Sequence, residues 1–320
     1  MAIISNEQPK QKQRPRKGLI DGRQRWTAVI LLLLPAVIIF TLFVVLPIFG
    51  AGYLSFFKYK GYGPVVDFQG VSNYVWLFTK QTLNSFFEPA LRNTALLLGV
   101  SLFVQLPLAL VCALLIYRES RINSVYRLIF FLPFVLSEIA TGLIWVYMLD
   151  GRYGLFAPLY EAFLGGPYFL MEDKTWSFAA VLLALVWKYF GYHMIIYIAG
   201  LQGVPKELVE SAEIDGASNW QAILHVKIPL ISYAIKLSLF FAILGSFQAF
   251  DLIIGLYGRS PPEEGQTLAT FIYEWGLSRR QRYGIASAAS IILFTISIVV
   301  GFTYQYVVMG EQSMFRRKKT

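Results

Sequence analysis

Charge is scarce in this sequence. Asp, Glu, Lys and Arg make up 15% of its 320 residues, against about 25% in typical soluble proteins. Cysteine is scarcer still: Cys112 stands alone inside an apolar run. No internal disulfide can form, so the redox compartment is not readable, and a small buried thiol is the plain reading. The two histidines fall in different segments, His193 in an apolar run and His225 in a connecting loop. That leaves no cluster with metal-ligand spacing, and His193 reads as a packed or polar-network residue. No nucleophile stands beside a base in a catalytic pattern, so an embedded enzyme finds no support. The chain lacks Gly-x-x-x-x-Gly-Lys-Ser/Thr and should bind no nucleotide itself. There is also no period of about 20–50 residues, which excludes a repeat architecture.

What the sequence has is apolar length. Hydrophobic residues make up 56%. A helix needs about 20 apolar residues to cross the hydrocarbon core of a bilayer. Six runs qualify: 26–49, 94–117, 128–149, 178–201, 233–257 and 286–309. The expected fold is an all-α membrane protein, with six transmembrane helices over 26–310 between basic tails at 1–25 and 311–320. The first run follows "KQKQRPRKG", which resembles the start of a signal peptide. The run is too long for one and no small-x-small cleavage site follows, so it reads as a retained helix. Pro35 and Pro47 are tolerable there, because neighbouring groups re-satisfy the freed carbonyls.

The net charge of +9 raises the question of nucleic acid. The basic residues gather at the ends and in short loops rather than on a helical stripe with aromatic partners, so no nucleic-acid partner is expected. Their distribution instead sets orientation. The two tails with the 118–127 and 202–232 loops hold sixteen Lys and Arg; the loops at 58–93, 150–177 and 258–285 hold ten over a somewhat greater length. Both termini are therefore expected on the cytoplasmic side. The 202–232 loop, with two basic residues, is assigned there by the even helix count.

That loop is the most informative stretch: "VPKELVESAEIDGASNWQAILHVKIPLI", residues 204–231. Pro205 suits a first helical turn, and "KELVESAEI" is good helix-forming sequence. Asp215-Gly216 should end the helix, since glycine takes the left-handed conformation that closes one. Ser218 follows as an N-cap with Gln221 three residues on, the spacing of a capping box. A second helix then sets Trp220, Ile223 and Leu224 on one face, and Pro229 should stop it. Helices this short are marginal alone, so the pair needs a surface. Spacing by itself leaves two surfaces open: the bilayer, or a docking partner.

The residues also resemble a known family. Glu210-Ser211-Ala212, then Gly216, then Val226-Lys227-Ile228-Pro229 is similar to the coupling loop of ABC importer permeases, Glu-Ala-Ala, three residues, Gly, nine residues, Ile-x-Leu-Pro. Ser211, Val226 and Ile228 depart from that pattern by small or apolar exchanges. "AGLQGVPKEL", "IDGASNWQ", "ALRNT" at 90–94, "LPFV" at 132–135, "FQAFDLI" at 247–253 and "YGIASAAS" at 283–290 resemble the carbohydrate-uptake branch, of the maltose and glycerol-phosphate type. The likeness covers nearly all of 26–310. It departs after the fifth helix, where that branch often carries a Thr-Gly-Gly-Gly-Pro-like segment and this chain has "LYGRSPPEEGQT".

The resemblance implies a permease subunit in a bacterial or archaeal cytoplasmic membrane. It would work with a second permease, two cytoplasmic ATPases that use the ATP, and an extracytoplasmic solute-binding protein. No cofactor would be bound by this chain. The loop would couple to the ATPase through Glu210, Ala212, Asp215, Gly216, Ala217, Trp220, Ile223 and Leu224. A di- or oligosaccharide is the leading solute, with a polyol or sugar phosphate behind it. The competing class is an ion-coupled secondary transporter of small polar solutes, which intramembrane Glu138 and Lys188 would suit. Against it, six spans without an inverted repeat would be unusual.

At about 1.5 Å per residue, Tyr189 and Tyr192 fall near the middle of the fourth run, and Ser246 and Gln248 near the middle of the fifth. Aromatics and amides suit sugar faces and hydroxyls, although ordinary helix packing uses the same residues. Asp251 falls toward the outer end of the fifth run. Glu138 and Lys188 each lie ten residues into their runs from opposite faces, and so at one depth. They are expected to form an intramembrane charge pair; the bland competitor is that each faces a water-filled cavity.

Overall fold

The computed structural model describes residues 22–278 and 280–310. The tails expected at 1–25 and 311–320 lie outside the described residues, save for 22–25. Among the described residues the chain is helical, with one isolated antiparallel bridge between Phe57 and Phe68. The chain divides into two compact units between Gly50 and Ala51. The first is α1 (Gly22–Phe40), a π-helical turn at Thr41–Val45 and the start of α2 (Leu46–Leu54). Its leucines are exposed, Leu32 to 79%, as suits a helix whose solvent is lipid.

The second unit holds α3 (Ser72–Thr79), α4 (Gln81–Val100), α5 (Leu106–Ile116), α6 (Arg121–Val135), α7 (Glu138–Met148), α8 (Ala157–Leu164) and α9 (Ser177–Gln202). It continues through α10 (Lys206–Ile214), α11 (Asn219–Ala222), α12 (Ile228–Leu230), α13 (Ser232–Gln248), α14 (Asp251–Tyr257), α15 (Leu268–Gly276) and α16 (Tyr283–Tyr304). Among the described residues, four helices are long and apolar enough to cross a membrane: Val29–Leu54, Gln81–Ile116, Ser177–Gln202 and Tyr283–Val308. The number rises to six if each of two bent pairs is one span.

Breaks in the backbone correct two of the six expected runs. The run at 128–149 is not one helix: α6 and α7 meet at 102°. Pro133 has already removed a backbone donor in the last turn of α6. Leu136 and Ser137 are extended, and Ser137 caps α7 by accepting the Ala140 N–H at 3.2 Å. The run at 233–257 stops at Gln248, where Ala249 turns extended and α14 starts afresh at Asp251. The second apolar helix also begins at Gln81, well before the expected residue 94.

Prolines account for three π-helical turns. Thr41–Val45, Ser101–Gln105 and Ile223–Lys227 each end two residues before a proline: Pro47, Pro107 and Pro229. In each, the residue between them (Leu46, Leu106, Ile228) donates its N–H to the carbonyl five residues back. A proline inside an α-helix clashes with the carbonyl four residues back and lacks a donor for it. Widening the turn by one residue accommodates both. Pro229 therefore does not stop its helix as expected; the chain passes through it and bends at Ile231, by 67°, into α13.

Packing falls into three clusters. One joins α3, α4, α15 and α16 through Leu77, Phe87, Phe271 and Trp275. A second joins α7, α9 and α14 through Trp145, Phe178, Val181 and Ile253. A third joins α5, α9 and α13 through Ala109, Met194, Tyr197 and Ile231. The helix α9 thus serves two clusters, with its first turns in one and its last turns in another. Between them lies the stretch from Leu185 to His193. α7 and α14 cross glycine on glycine: a Cβ on Gly142 would fall 2.5 Å from the Gly255 carbonyl carbon. The "RNT" of α4 clamps the segment before α15. Asn93 donates to the Glu264 and Gln266 carbonyls at 2.6 and 2.8 Å, and Thr94 Oγ1 accepts the Leu268 N–H at 3.1 Å.

Outside the spans, Asp173 organises the turn before α9. Its carboxylate accepts the Tyr168 hydroxyl at 2.7 Å and the N–H groups of Thr175 and Trp176. These bonds, that from Tyr168 foremost, hold its carboxyl below the usual range and push the phenol up to about 12.

Candidate functional site

A cavity of about 500 Å³ opens in the second unit between the packing clusters. Tyr189, Tyr192, Ser246 and Gln248 all line it, so the four residues expected to face a solute are brought together by the fold. Phe134 stacks on Tyr192 with ring centres 4.6 Å apart, and Phe241 meets Tyr192 edge-on at 6.1 Å. Ser246 donates to the Ala242 carbonyl at 2.8 Å and lies 3.4 Å from Ser101 Oγ.

Five further polar residues line the cavity beside the four expected to face a solute: Ser101, Gln105, Glu138, His193 and Asp251. Ser101 and Gln105 arrive on the π turn between α4 and α5, whose extra residue changes which side chains face inward. The signal in the sequence is Pro107, two residues after the turn. Asp251 was expected toward the outer end of a continuous fifth helix. The stop at Gln248 brings it to the cavity wall as the first residue of α14. Gln105 Oε1 and His193 Nδ1 are buried without a partner among the described residues.

The expected Glu138–Lys188 pair takes another form. Lys188, 2% exposed, donates to main-chain carbonyls at the end of α6: Leu136 at 2.5 Å, Phe134 at 3.4 Å and Pro133 at 3.5 Å. Glu138 accepts the Tyr189 hydroxyl and begins α7. Both charges therefore serve the break between α6 and α7. The last carbonyls of a helix carry partial negative charge and the first amides partial positive charge. The cation closes one end and the anion the other. Glu138 lines the cavity and Lys188 does not, and the break supplies both charges with partners other than each other.

The 204–231 loop follows its expected outline. α10 closes on Gly216 at φ +86°, with the Gly216 N–H on the Glu213 carbonyl and the Ala217 N–H on that of Ala212. These are the two bonds of a Schellman motif. Ser218 and Gln221 form the reciprocal capping box. Pro205 is the N-cap of α10 rather than part of its first turn. Glu210, Asp215, Gly216, Trp220 and Leu224 are exposed, Trp220 to 64%, while Ala212, Ala217 and Ile223 are half-buried. The loop is tied down at its far end. Lys227, buried, donates to the Tyr117 hydroxyl at 3.0 Å. The Tyr117 carbonyl in turn accepts Arg127 Nη2 at 2.7 Å and Gln202 Nε2 at 3.3 Å.

A helical protein with several apolar helices, a polar cavity at their breaks and a projecting capped helix pair is, as a class, a membrane transport subunit. Residues 105–310 match the family described as binding-protein-dependent transport system inner membrane component, and the chain belongs to it. It is 32% identical to a probable ABC transporter permease of Pyrococcus horikoshii, over 86% of this chain and 94% of that one. It is 30% identical to the diacetylchitobiose uptake system permease of Streptomyces coelicolor, over 82% of this chain and 76% of that one. A chain in the crystal structure of a bacterial ABC transporter involved in import of the acidic polysaccharide alginate superposes with a TM-score of 0.77 at 26% identity. The match covers 89% of this chain and 96% of that one. The resemblance to carbohydrate-uptake permeases read from the sequence is borne out by these relatives.

Proposed function

We propose that this chain is the permease subunit of an ATP-driven importer of a di- or oligosaccharide and forms half of the translocation pathway. With α6 and α7 as one bent span and α13 as another, the spans number six, with both termini and the 204–231 loop on the cytoplasmic side of a bacterial or archaeal cytoplasmic membrane. The other half of the pathway is a second permease. Two ATPases dock beneath, an extracytoplasmic solute-binding protein delivers the sugar, and ATP is used by the ATPases alone. The uptake of diacetylchitobiose and alginate by relatives supports the solute class, as do the aromatic and amide side chains of the cavity.

The observation that carries the coupling role is the build of the loop. A Schellman turn and a capping box hold two helices, each too short to stand alone, in one shape. That shape leaves Trp220, Ile214 and four carboxylates exposed. Such a rigid, apolar and acidic projection suits a cleft with a basic rim. ATP-driven closure of the ATPases would move it as a body and reverse the side to which the cavity opens.

Gly216→Pro tests this, because proline cannot adopt φ +86°. The expected result in the reconstituted complex is loss of solute-stimulated ATP hydrolysis while the permease still inserts and the complex still assembles. Glu210→Ala should weaken the coupling by about 1.5–3 kcal/mol, the range for a hydrogen bond to a charged group. Wild-type stimulation in the Gly216 variant would overturn the coupling role.

A further inference from the structure

The cavity wall is unevenly charged. Its lining includes two carboxylates, Glu138 and Asp251, and no lysine or arginine. The two differ in how far their charge is already met. Glu138 accepts the Tyr189 hydroxyl, and the Lys188 ammonium behind the wall acts on it electrostatically. It also stands in the first turn of α7, where the helix dipole favours an anion. Asp251 is exposed and has no hydrogen-bond partner among the described residues. Two buried polar atoms on lining side chains also lack partners, Gln105 Oε1 and His193 Nδ1. Their residues are 2% and 3% exposed. A buried polar atom left unpaired calls for a ligand or a water to meet it.

An ionised carboxylate and an amide oxygen only accept hydrogen bonds. A sugar hydroxyl or an ammonium supplies the donor they lack. A uronate or a phosphate sets acceptor against acceptor and like charge against like.

We propose that Asp251 sets the charge of the solute: the cavity takes saccharides that are neutral or bear an amino group, and rejects uronates and phosphorylated sugars. The inference rests on the saccharide reading above and adds to it the charge class and the residue that enforces it.

The test uses the detergent-solubilised complex of both permeases and both ATPases without the solute-binding protein, so that selectivity belongs to the cavity. Thermal shift is titrated with three disaccharides of similar size: the glucosamine dimer of chitosan, cellobiose and digalacturonate. The first two should stabilise the complex, and digalacturonate should bind at least about tenfold more weakly, or about 1.4 kcal/mol. Asp251→Asn, which keeps the size of the side chain, should remove most of that discrimination, and Asp251→Lys should invert it. Equal binding of all three by the wild type, or an unchanged order in both variants, overturns the charge assignment while the saccharide reading stands. Absence of any shift with all three would remove the saccharide reading, and this inference with it.

Discussion

At the scale of residues, Lys188 carries the most unusual burden. Its ammonium meets three carbonyls that the end of α6 leaves open, and removal would strand them in an apolar surrounding. Lys188→Met should therefore lower stability by about 1.5–3 kcal/mol, the range for hydrogen bonds to a charged group. Glu138→Gln retains an acceptor for Tyr189 and should cost about 1 kcal/mol or less. A double-mutant cycle on the unfolding midpoint should give a coupling below about 1 kcal/mol, because the groups do not bond to each other. Breaking one side of a directly bonded buried pair costs about 3–5 kcal/mol, and a coupling of that size would refute the separate-caps account. The sequence showed two opposite charges at one depth. It could not show that the backbone breaks just before Glu138, because one proline in a membrane helix is compatible with a kink, a π turn or a full stop.

Elements were legible in proportion to how local their signals are. The 204–231 loop was readable nearly residue by residue. A glycine after Asp215, a Ser and Gln at capping-box spacing and the flanking helix formers each act within one turn of chain. The span α9 was placed to within a residue, since its apolar run is unbroken. The breaks after Val135 and Gln248 were not, because apolar composition continues across both and hydropathy measures solvent, not backbone geometry. Their positions were nonetheless marked by stretches already singled out for their resemblance: "LPFV" ends α6, and "FQAFDLI" holds the whole second break. The glycine crossing of α7 and α14 offers a direct check. Gly142→Ala would bring a methyl to 2.5 Å from the Gly255 carbonyl carbon, so the helices must part. The expected cost is about 1–3 kcal/mol, as for other overpacked contacts, read as a lower unfolding midpoint. Ala at Gly99, which has nothing within 4 Å of its Cβ position, should leave the midpoint unchanged.

At the scale of the molecule, the loop and the cavity are joined by a short mechanical chain. Lys227 holds the loop to Tyr117 at the end of α5, and α5 runs back to the π turn that carries Ser101 and Gln105 into the cavity. Lys227→Met should loosen that link. In the assembled importer, solute stimulation of ATP hydrolysis should fall at least about tenfold while basal hydrolysis persists. Unchanged stimulation would mean that motion reaches the cavity by another route. The two helix breaks have a consequence of their own. The cavity is lined from both sides of each: Phe134 before the first and Glu138 after it, Gln248 before the second and Asp251 after it. Any guest that fills the cavity therefore spans two joints at once. Its grip on the walls and the angle at each joint form one equilibrium: a guest that prefers one angle holds the joints there, and a joint forced to another angle loosens its guest.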